Sequence, residues 1–246
     1  MPNGMVVAQV NPWETDALYR EIFVERCYER SGLSVRTDCA IIDVGANIGL
    51  ASLYFHTRAP RVPIVAVEPA PLPLAALAVN VDRHGANCKI VAAAAGRCHG
   101  RGTLCFYGAH SDFSTLYPDP VRDGRVAAAA LRAEGRLSSA DLATIEGGAT
   151  AEAIDVEVLG LADVFALCPV GPIGLVKIDA ERAEDEILAG VPPGAWSRVQ
   201  QIALEVHGDA ATAKSMASRI GALGFGTVVR PEPFAGFHMI YAQRST

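Results

Sequence analysis

The sequence lacks an excess of basic residues, and it lacks any long run of apolar residues. Its 27 Asp and Glu residues outnumber the 21 Lys and Arg residues, and only 20% of the chain is charged. Because proteins that bind nucleic acids usually present a basic face, this balance argues against a nucleic-acid partner. Arg132 interrupts the alanine-rich stretch that begins at Ala127, so no apolar run is long enough to cross a bilayer. We therefore expect no membrane partner.

Paired-cysteine motifs and targeting signals are also missing. The six cysteines show no C-x-x-C spacing, and Met1 to Met5 lack the charged start and apolar core of a signal peptide. Disulfides are typical of oxidising compartments, and a chain of 246 residues does not need them to fold. We expect reduced thiols and a cytoplasmic location.

Segments typical of strands and of helices alternate along most of the chain. The predicted strands are Ala40–Val44, Val62–Val67, Lys89–Ala93, Thr103–Tyr107, Asp155–Leu159, Ile173–Ile178, Val199–Val206, Thr227–Arg230 and His238–Ala242. The predicted helices are Glu14–Arg30, Ile48–His56, Pro71–His84, Glu184–Ala189 and Asp209–Leu223. This alternation predicts a Rossmann-like α/β fold with a mostly parallel, doubly wound sheet, and the two final strands predict an antiparallel hairpin at its edge.

A glycine-containing loop, D-V-G-A-N-I-G, follows the first predicted strand. Glycines let a backbone turn tightly and approach a ligand, and the next helix offers its N-terminus. A dinucleotide site would carry G-x-G-x-x-G for its pyrophosphate, whereas here an aspartate comes first, which suits the ammonium of an amino-acid ligand. We predict ligand contacts from Asp43, Gly45, Ala46, Asn47 and Gly49. The alternative is a tight turn without a ligand.

A second acidic residue, Glu68, stands at the end of the second predicted strand, in the sequence V-A-V-E. A carboxylate about 20 residues beyond the glycine loop is placed to accept both hydroxyls of a ribose. Sites for NAD and for S-adenosylmethionine share this feature, so Glu68 alone does not separate them. The alternative is a solvated residue at the end of a strand.

Polar residues also end two later strands. Lys177 and Asp179 share one face of their strand, as do Glu205 and His207, because side chains alternate along a strand. Ligands of open α/β sheets bind at the carboxyl ends of strands, where these residues fall. We predict that His207 is a general base assisted by Glu205 or Asp179. The alternative is that these residues only cap loops.

Other chemistries receive less support from the sequence. Asp179 and Glu205 could bind a divalent metal, but the sequence offers no obvious third ligand, so we predict no metal site. A serine nucleophile is not expected either, because no G-x-S-x-G motif occurs.

Taken together, these segments resemble the FkbM-type methyltransferases. The matching stretches run in the family's order from about Ala40 to His207, and include I-D-V-G-A-N-I-G-L, A-V-E-P, L-V-K-I-D-A-E and E-V-H. The chain departs from the family where Arg182 follows Glu181, since the family generally has glycine there. Arg182 and Trp196 resemble the subgroup of polyketide and non-ribosomal peptide assembly lines. The resemblance implies a class I methyltransferase fold, with a mostly parallel sheet of seven strands, and O-methylation of a hydroxyl or enol.

The resemblance also implies S-adenosylmethionine as the cofactor. Asp43 and the loop from Gly45 to Gly49 would hold its methionine part and Glu68 its ribose, while Pro69 and the Ala93–Ala94 region would flank the adenine. The acceptor would be a small molecule or an intermediate bound to a carrier protein, and a homodimer is compatible with the sequence. The rival functions are an NAD-dependent oxidoreductase and a catalytically silent binding domain.

These expectations divide one domain, residues 1–246, into four parts. Residues 1–38 form a helical lid, 39–117 the cofactor-binding half, 118–150 an insertion or cap, and 151–246 the second half of the sheet. Half of the residues are hydrophobic, which is enough for one α/β core but hardly for two.

Overall fold

A seven-stranded sheet forms the centre of the computed structural model, which describes residues 1–107, 111, 114–119, 152–232 and 236–244. Its strands are β1 Ala40–Val44, β2 Ile64–Val67, β3 Cys88–Val91, β7 Ile173–Ile178, β8 Gln201–His207, β9 Phe225–Pro231 and β10 Phe237–Arg244. The order is β3-β2-β1-β7-β8-β10-β9, and only β10 runs antiparallel to its neighbours. The predicted parallel sheet with an antiparallel edge hairpin is confirmed.

A second, smaller sheet was not predicted. It contains β4 Ala94–Gly96, β5 Gly100–Phe106 and β6 Glu152–Gly160 in the order β4-β6-β5. The sequence indicated β5 and β6 as strands, but not that they pair with each other. Leu104 and Phe106 of β5 are buried while Arg101 and Thr103 are exposed, so only one face of this sheet packs on the protein.

The helices connect the strands and cover both faces of the main sheet. They are α1 Pro12–Tyr19, α2 Leu50–Arg58, α3 Pro71–His84, α4 Leu161–Leu167, α5 Glu184–Gly190 and α6 Ala210–Ala222. Asn11 caps α1 by accepting a hydrogen bond from the Trp13 amide, and Gly85 ends α3 with a left-handed φ of 61°. Within the described residues, no helix is long and apolar enough to span a membrane.

The predicted helix Glu14–Arg30 is wrong in its second half. After α1 the chain continues as one turn of π-helix, Arg20–Val24, and then as a short 3₁₀ helix, Cys27–Glu29. Arg26 separates the two with a left-handed φ of 52°, a conformation that a continuous right-handed helix cannot contain. Nearly all of the predicted insertion, 118–150, lies outside the described residues.

Two hydrophobic layers hold the main sheet rigid. Ile42 of β1 packs with Trp196 on one face, while its neighbour Ile41 packs with Phe55 on the other. Trp196 is fully buried and meets Phe165 edge-on. Because both faces are covered, the carboxyl ends of the strands form a fixed edge on which a site can be built.

Candidate active site

A cavity of about 540 Å³ lies at the carboxyl ends of the central strands. This volume is typical of a site for a small molecule or cofactor. The residues that line it from the main sheet include Gly45, Ala46, Asn47, Glu68, Pro69, Lys177, Asp179 and Glu205. The N-terminal segment adds Glu14, Leu18, Glu21 and Tyr28, so this segment covers the site.

The glycine loop contacts the loop that follows β7. Gly45 has a left-handed φ of 72°, and a Cβ atom there would lie 1.7 Å from the carbonyl oxygen of Asp179. Only glycine therefore allows the two loops to meet at the cavity wall. Gly49 also has a left-handed φ, of 88°, but its missing Cβ makes room for Leu77 of α3. Gly49 thus packs α2 on α3, and it is not among the residues that line the cavity.

Asp43 lies behind the cavity wall and is not among the residues that line it, so its predicted direct contact with a ligand stays a prediction. Its side chain is fully buried, with Oδ1 3.2 Å from Lys177 Nζ, and Oδ2 accepts a hydrogen bond of 2.7 Å from Ser52. Lys177 Nζ also donates to the carbonyl oxygen of Gly45 at 2.6 Å. Burial opposes its charge, but the charges of Asp43 and Asp179 raise the pKa of Lys177. Asp43 therefore holds the glycine loop through Lys177.

Glu68 reaches the cavity from the end of β2. Its two carboxylate oxygens accept hydrogen bonds of 2.8 Å from the amides of Asn47 and Ala70. Burial raises the pKa of Glu68 to about 7 despite these bonds. A carboxylate fixed in this way at the cavity wall has the position that binding of a ribose requires.

Of the three residues predicted to flank the adenine, two line the cavity and one does not. Pro69 and Ala94 line the cavity as predicted, together with Ala95 and Leu104. Ala93 is buried and is not among the lining residues, and its predicted contact with a ligand stays a prediction.

Glu14 of α1 is a site residue that the sequence did not reveal. Its Oε1 accepts hydrogen bonds from Asn47 Nδ2 at 2.6 Å and from the Ser111 hydroxyl at 2.8 Å. It thereby ties the N-terminal segment to the glycine loop. The acidic first turn of an ordinary helix has the same sequence pattern, so nothing local distinguishes Glu14 from a surface residue.

The far end of the cavity is strongly acidic. Asp179, Glu181, Glu205 and Glu21 all line it. Burial and the charge of Asp179 raise the pKa of Glu21 to about 7, and the same two causes raise the pKa of Glu205. Asp179 Oδ2 lies 3.6 Å from Lys177 Nζ, which is already engaged with Asp43. This end is therefore suited to a cationic ligand or to a donor of hydrogen bonds.

His207 lies beside these carboxylates but is not among the residues that line the cavity, and its predicted role of general base stays a prediction. Its Nδ1 is 2.8 Å from Glu184 Oε1 and its Nε2 is 3.1 Å from Glu181 Oε1. Burial favours the neutral ring, yet the two carboxylates raise the pKa of His207 well above 6.5. The two carboxylates thus hold the ring on both sides and favour its protonated form. Glu181 and Glu184 are functional neighbours that the strand pattern did not indicate.

Comparison with known proteins identifies the family. The model of the "Methyltransferase FkbM domain" matches residues 43–225. The chain is 36% identical over 249 residues to the 31-O-demethyl-FK506 methyltransferase FkbM of Streptomyces tacrolimicus, covering all of this chain and 96% of that protein. It is also 34% identical to part of the AMB antimetabolite synthetase AmbE of Pseudomonas aeruginosa, over 87% of this chain and 10% of the synthetase.

A solved structure agrees in fold. The methyltransferase FkbM of Methylobacillus flagellatus superposes with a TM-score of 0.55 and 15% identity, over 87% of this chain and 46% of that one. The family model spans both the glycine loop and the acidic strand ends, whereas Glu14 and the rest of the N-terminal segment precede its first matched residue. The chain therefore belongs to the FkbM family of methyltransferases.

Proposed function

We propose that the chain is an S-adenosylmethionine-dependent O-methyltransferase that acts on a hydroxyl or enol of a natural-product intermediate. The observation that carries this proposal is one cavity with two chemically different ends. One end is built from the glycine loop and Glu68, and the other from Asp179 and Glu205. A cofactor site and an acceptor site would thus face each other.

The residues at the first end fit S-adenosylmethionine. The backbone at Gly45 and Ala46 would hold its amino-acid part, Glu68 would accept hydrogen bonds from its ribose, and Pro69 and Ala94 would flank its adenine. The cofactor supplies a methyl group on a positively charged sulfonium. The many carboxylates of the cavity wall suit this charge and would repel the phosphates of NAD, which is the rival cofactor.

At the second end, Asp179 and Glu205 would bind the acceptor. An acceptor hydroxyl would donate its hydrogen bond to one of these carboxylates, which would receive the proton as the oxygen gains the methyl group. The rigid strand ends would keep the oxygen in line with the methyl group, and such positioning supplies a large part of the rate in a direct transfer. His207 contacts Glu181 and Glu184 and would hold these two carboxylates in place, without taking the proton itself.

The names of the relatives support a natural-product acceptor. The Streptomyces relative is named for methylation of 31-O-demethyl-FK506, and the Pseudomonas relative is an antimetabolite synthetase. The acceptor of this chain would be a small molecule of that kind or an intermediate on a carrier protein. The buried apolar wall next to the acidic end, with Leu18 and Tyr28, suits such a molecule better than a charged polymer.

Calorimetric titration and product analysis test the proposal. We expect S-adenosylmethionine to bind and NAD to show no binding. With a panel of alcohols and enols that includes 31-O-demethyl-FK506, mass spectrometry should detect a product with one added methyl group on oxygen. Binding of NAD alone would favour an oxidoreductase. Binding of S-adenosylmethionine with no product from any acceptor would favour a silent binding domain.

A further inference from the structure

Three side chains at the acidic end of the cavity come together as a set of metal-binding groups. A carboxylate oxygen of Asp179, one of Glu205 and a ring nitrogen of His207 all lie within 4.8 Å of one another. They come from the ends of the adjacent strands β7 and β8, so the sheet itself fixes their spacing. The sequence suggested the two carboxylates but no third ligand, and the structure brings His207 to them.

The surroundings of His207 resemble those of a metal-binding histidine. Glu184 contacts Nδ1 at 2.8 Å, which fixes the plane of the ring. Metal-binding histidines usually have one nitrogen held in this way by a carboxylate, while the other nitrogen binds the ion. Glu181 lies on the other side, with Oε1 3.1 Å from Nε2. Adjacent ligands of an octahedral cation are about 3 Å apart when the bonds are about 2.1 Å long, so both atoms could bind the same ion.

We infer that Asp179, Glu205 and His207 form a site for one divalent cation, with Glu181 as an additional ligand and Glu184 as the residue that orients the ring. Carboxylate oxygens with one imidazole suit Mn²⁺ and related ions. The cation would balance part of the negative charge that the carboxylates bring to this end of the cavity.

The inference rests on the proposed function, and it narrows the class of acceptor. Asp179 and Glu205 line the cavity, so a cation between them and His207 would face the acceptor. Protein side chains would fill part of its coordination shell, and oxygen atoms of the acceptor could fill the rest. The preferred acceptors would then be those with two neighbouring oxygens, such as a vicinal diol or a hydroxy-carbonyl group. The cation would make the acceptor hydroxyl more acidic, and the second carboxylate oxygen of Asp179 or Glu205, which does not bind the ion, would still receive its proton.

Binding of Mn²⁺ to the full chain tests the inference without any use of activity. The protein is first treated with a chelator, and Mn²⁺ is then titrated while electron paramagnetic resonance records the free ion. We expect one Mn²⁺ per chain. Asp179→Asn and Glu205→Gln, which preserve the shape of the side chains, should each weaken binding more than tenfold. Glu184→Gln should weaken it by about 10- to 100-fold, the usual effect of losing a residue that orients a ligand.

Glu186→Gln is the matched control, because Glu186 lies on the same helix as Glu184 but on the surface, 3.5 Å from Arg97. It should bind Mn²⁺ as the original chain does. Absence of bound Mn²⁺, or equal binding by Asp179→Asn, Glu205→Gln and the control, would overturn the inference. Calorimetry with S-adenosylmethionine on the same samples separates the two proposals. Cofactor binding without Mn²⁺ binding overturns only the metal site, whereas Mn²⁺ binding without cofactor binding supports the metal site and counts against the proposed function.

Discussion

The two ends of the cavity are built in different ways. The cofactor end is made mostly of backbone, where Gly45 allows two loops to meet and Glu68 accepts hydrogen bonds from main-chain amides. The proposed acceptor end is made of charged side chains, with Asp179 and Glu205 drawn from two strands and His207 behind them. A backbone site is suited to one invariable ligand, whereas side chains can be exchanged without changing the fold. The comparison explains how one fold can keep its cofactor while its acceptors vary.

The largest effect should come from Asp43, which supports the cofactor end from behind. Asp43→Ala would leave Lys177 buried without its closest carboxylate, and breaking a buried ion pair from one side costs about 3–5 kcal/mol. Denaturant unfolding of the ligand-free chain measures this loss. Asp38→Ala, which removes an exposed partner of Arg36, is the control and should leave stability unchanged. A stable Asp43→Ala variant that has lost only cofactor affinity would restore the direct contact predicted from the sequence.

The next effect concerns the contact between the two loops at Gly45. Gly45→Ala would place a Cβ atom 1.7 Å from a carbonyl oxygen in a left-handed conformation. We expect a loss of about 2–4 kcal/mol, from overpacking together with the left-handed conformation. Gly85→Ala is the matched control, since Gly85 has a φ of 61° but open space around it. It should cost only about 1 kcal/mol in the same unfolding experiment. Equal losses would show that the loops do not need this close contact.

A smaller effect is expected at Glu68, and it depends on pH. Glu68→Ala should lower the affinity for S-adenosylmethionine by about one to two decades, since hydrogen bonds to a charged group contribute about 1.5–3 kcal/mol. Glu157→Ala, an exposed carboxylate of β6, should leave the affinity unchanged. In the ligand-free chain the pKa of Glu68 is raised from 4.5 to about 7, so its contribution to stability is present below pH 4.5 and is lost as the pH rises through 7.

The pH dependence can be measured by thermal unfolding between pH 5 and pH 8. Stability should fall over this range because the folded state binds the proton of Glu68 more tightly than the unfolded state does. Glu68→Gln should make the fall less steep, while the raised pKa values of Glu21 and Glu205 leave part of it in place. The same slope in both proteins would show that Glu68 is already ionised at pH 5.

The smallest effect concerns the N-terminal segment over the cofactor end. Glu14→Ala removes the hydrogen bonds to Asn47 and Ser111. The typical net contribution of a hydrogen bond is about 1 kcal/mol, so we expect the affinity for S-adenosylmethionine to fall about fivefold. Asp16→Ala, on the exposed face of the same helix, is the control and should bind as the original chain does. Calorimetry measures the affinity of the original chain and of both variants. Equal affinities would show that the contacts of Glu14 do not contribute to cofactor binding.

The same comparison explains what the sequence could predict. The cofactor end follows from local patterns, because Gly45 and Glu68 each stand directly after a strand whose apolar run is visible in the sequence. The pairing of Glu181 and Glu184 with His207, and of Glu14 with Asn47, joins residues far apart in the chain. Such contacts depend on strand order and helix docking, so no single window contains them. The pairing of β5 with β6 was missed for the same reason, since it joins residues about 50 positions apart.

A crystal structure of the chain with S-adenosylmethionine bound would test the central claim most directly. The account predicts the ribose hydroxyls within hydrogen-bond distance of Glu68 and the methyl group directed towards Asp179 and Glu205. A cofactor with its methyl group directed away from these two carboxylates, or bound outside the cavity, would contradict it.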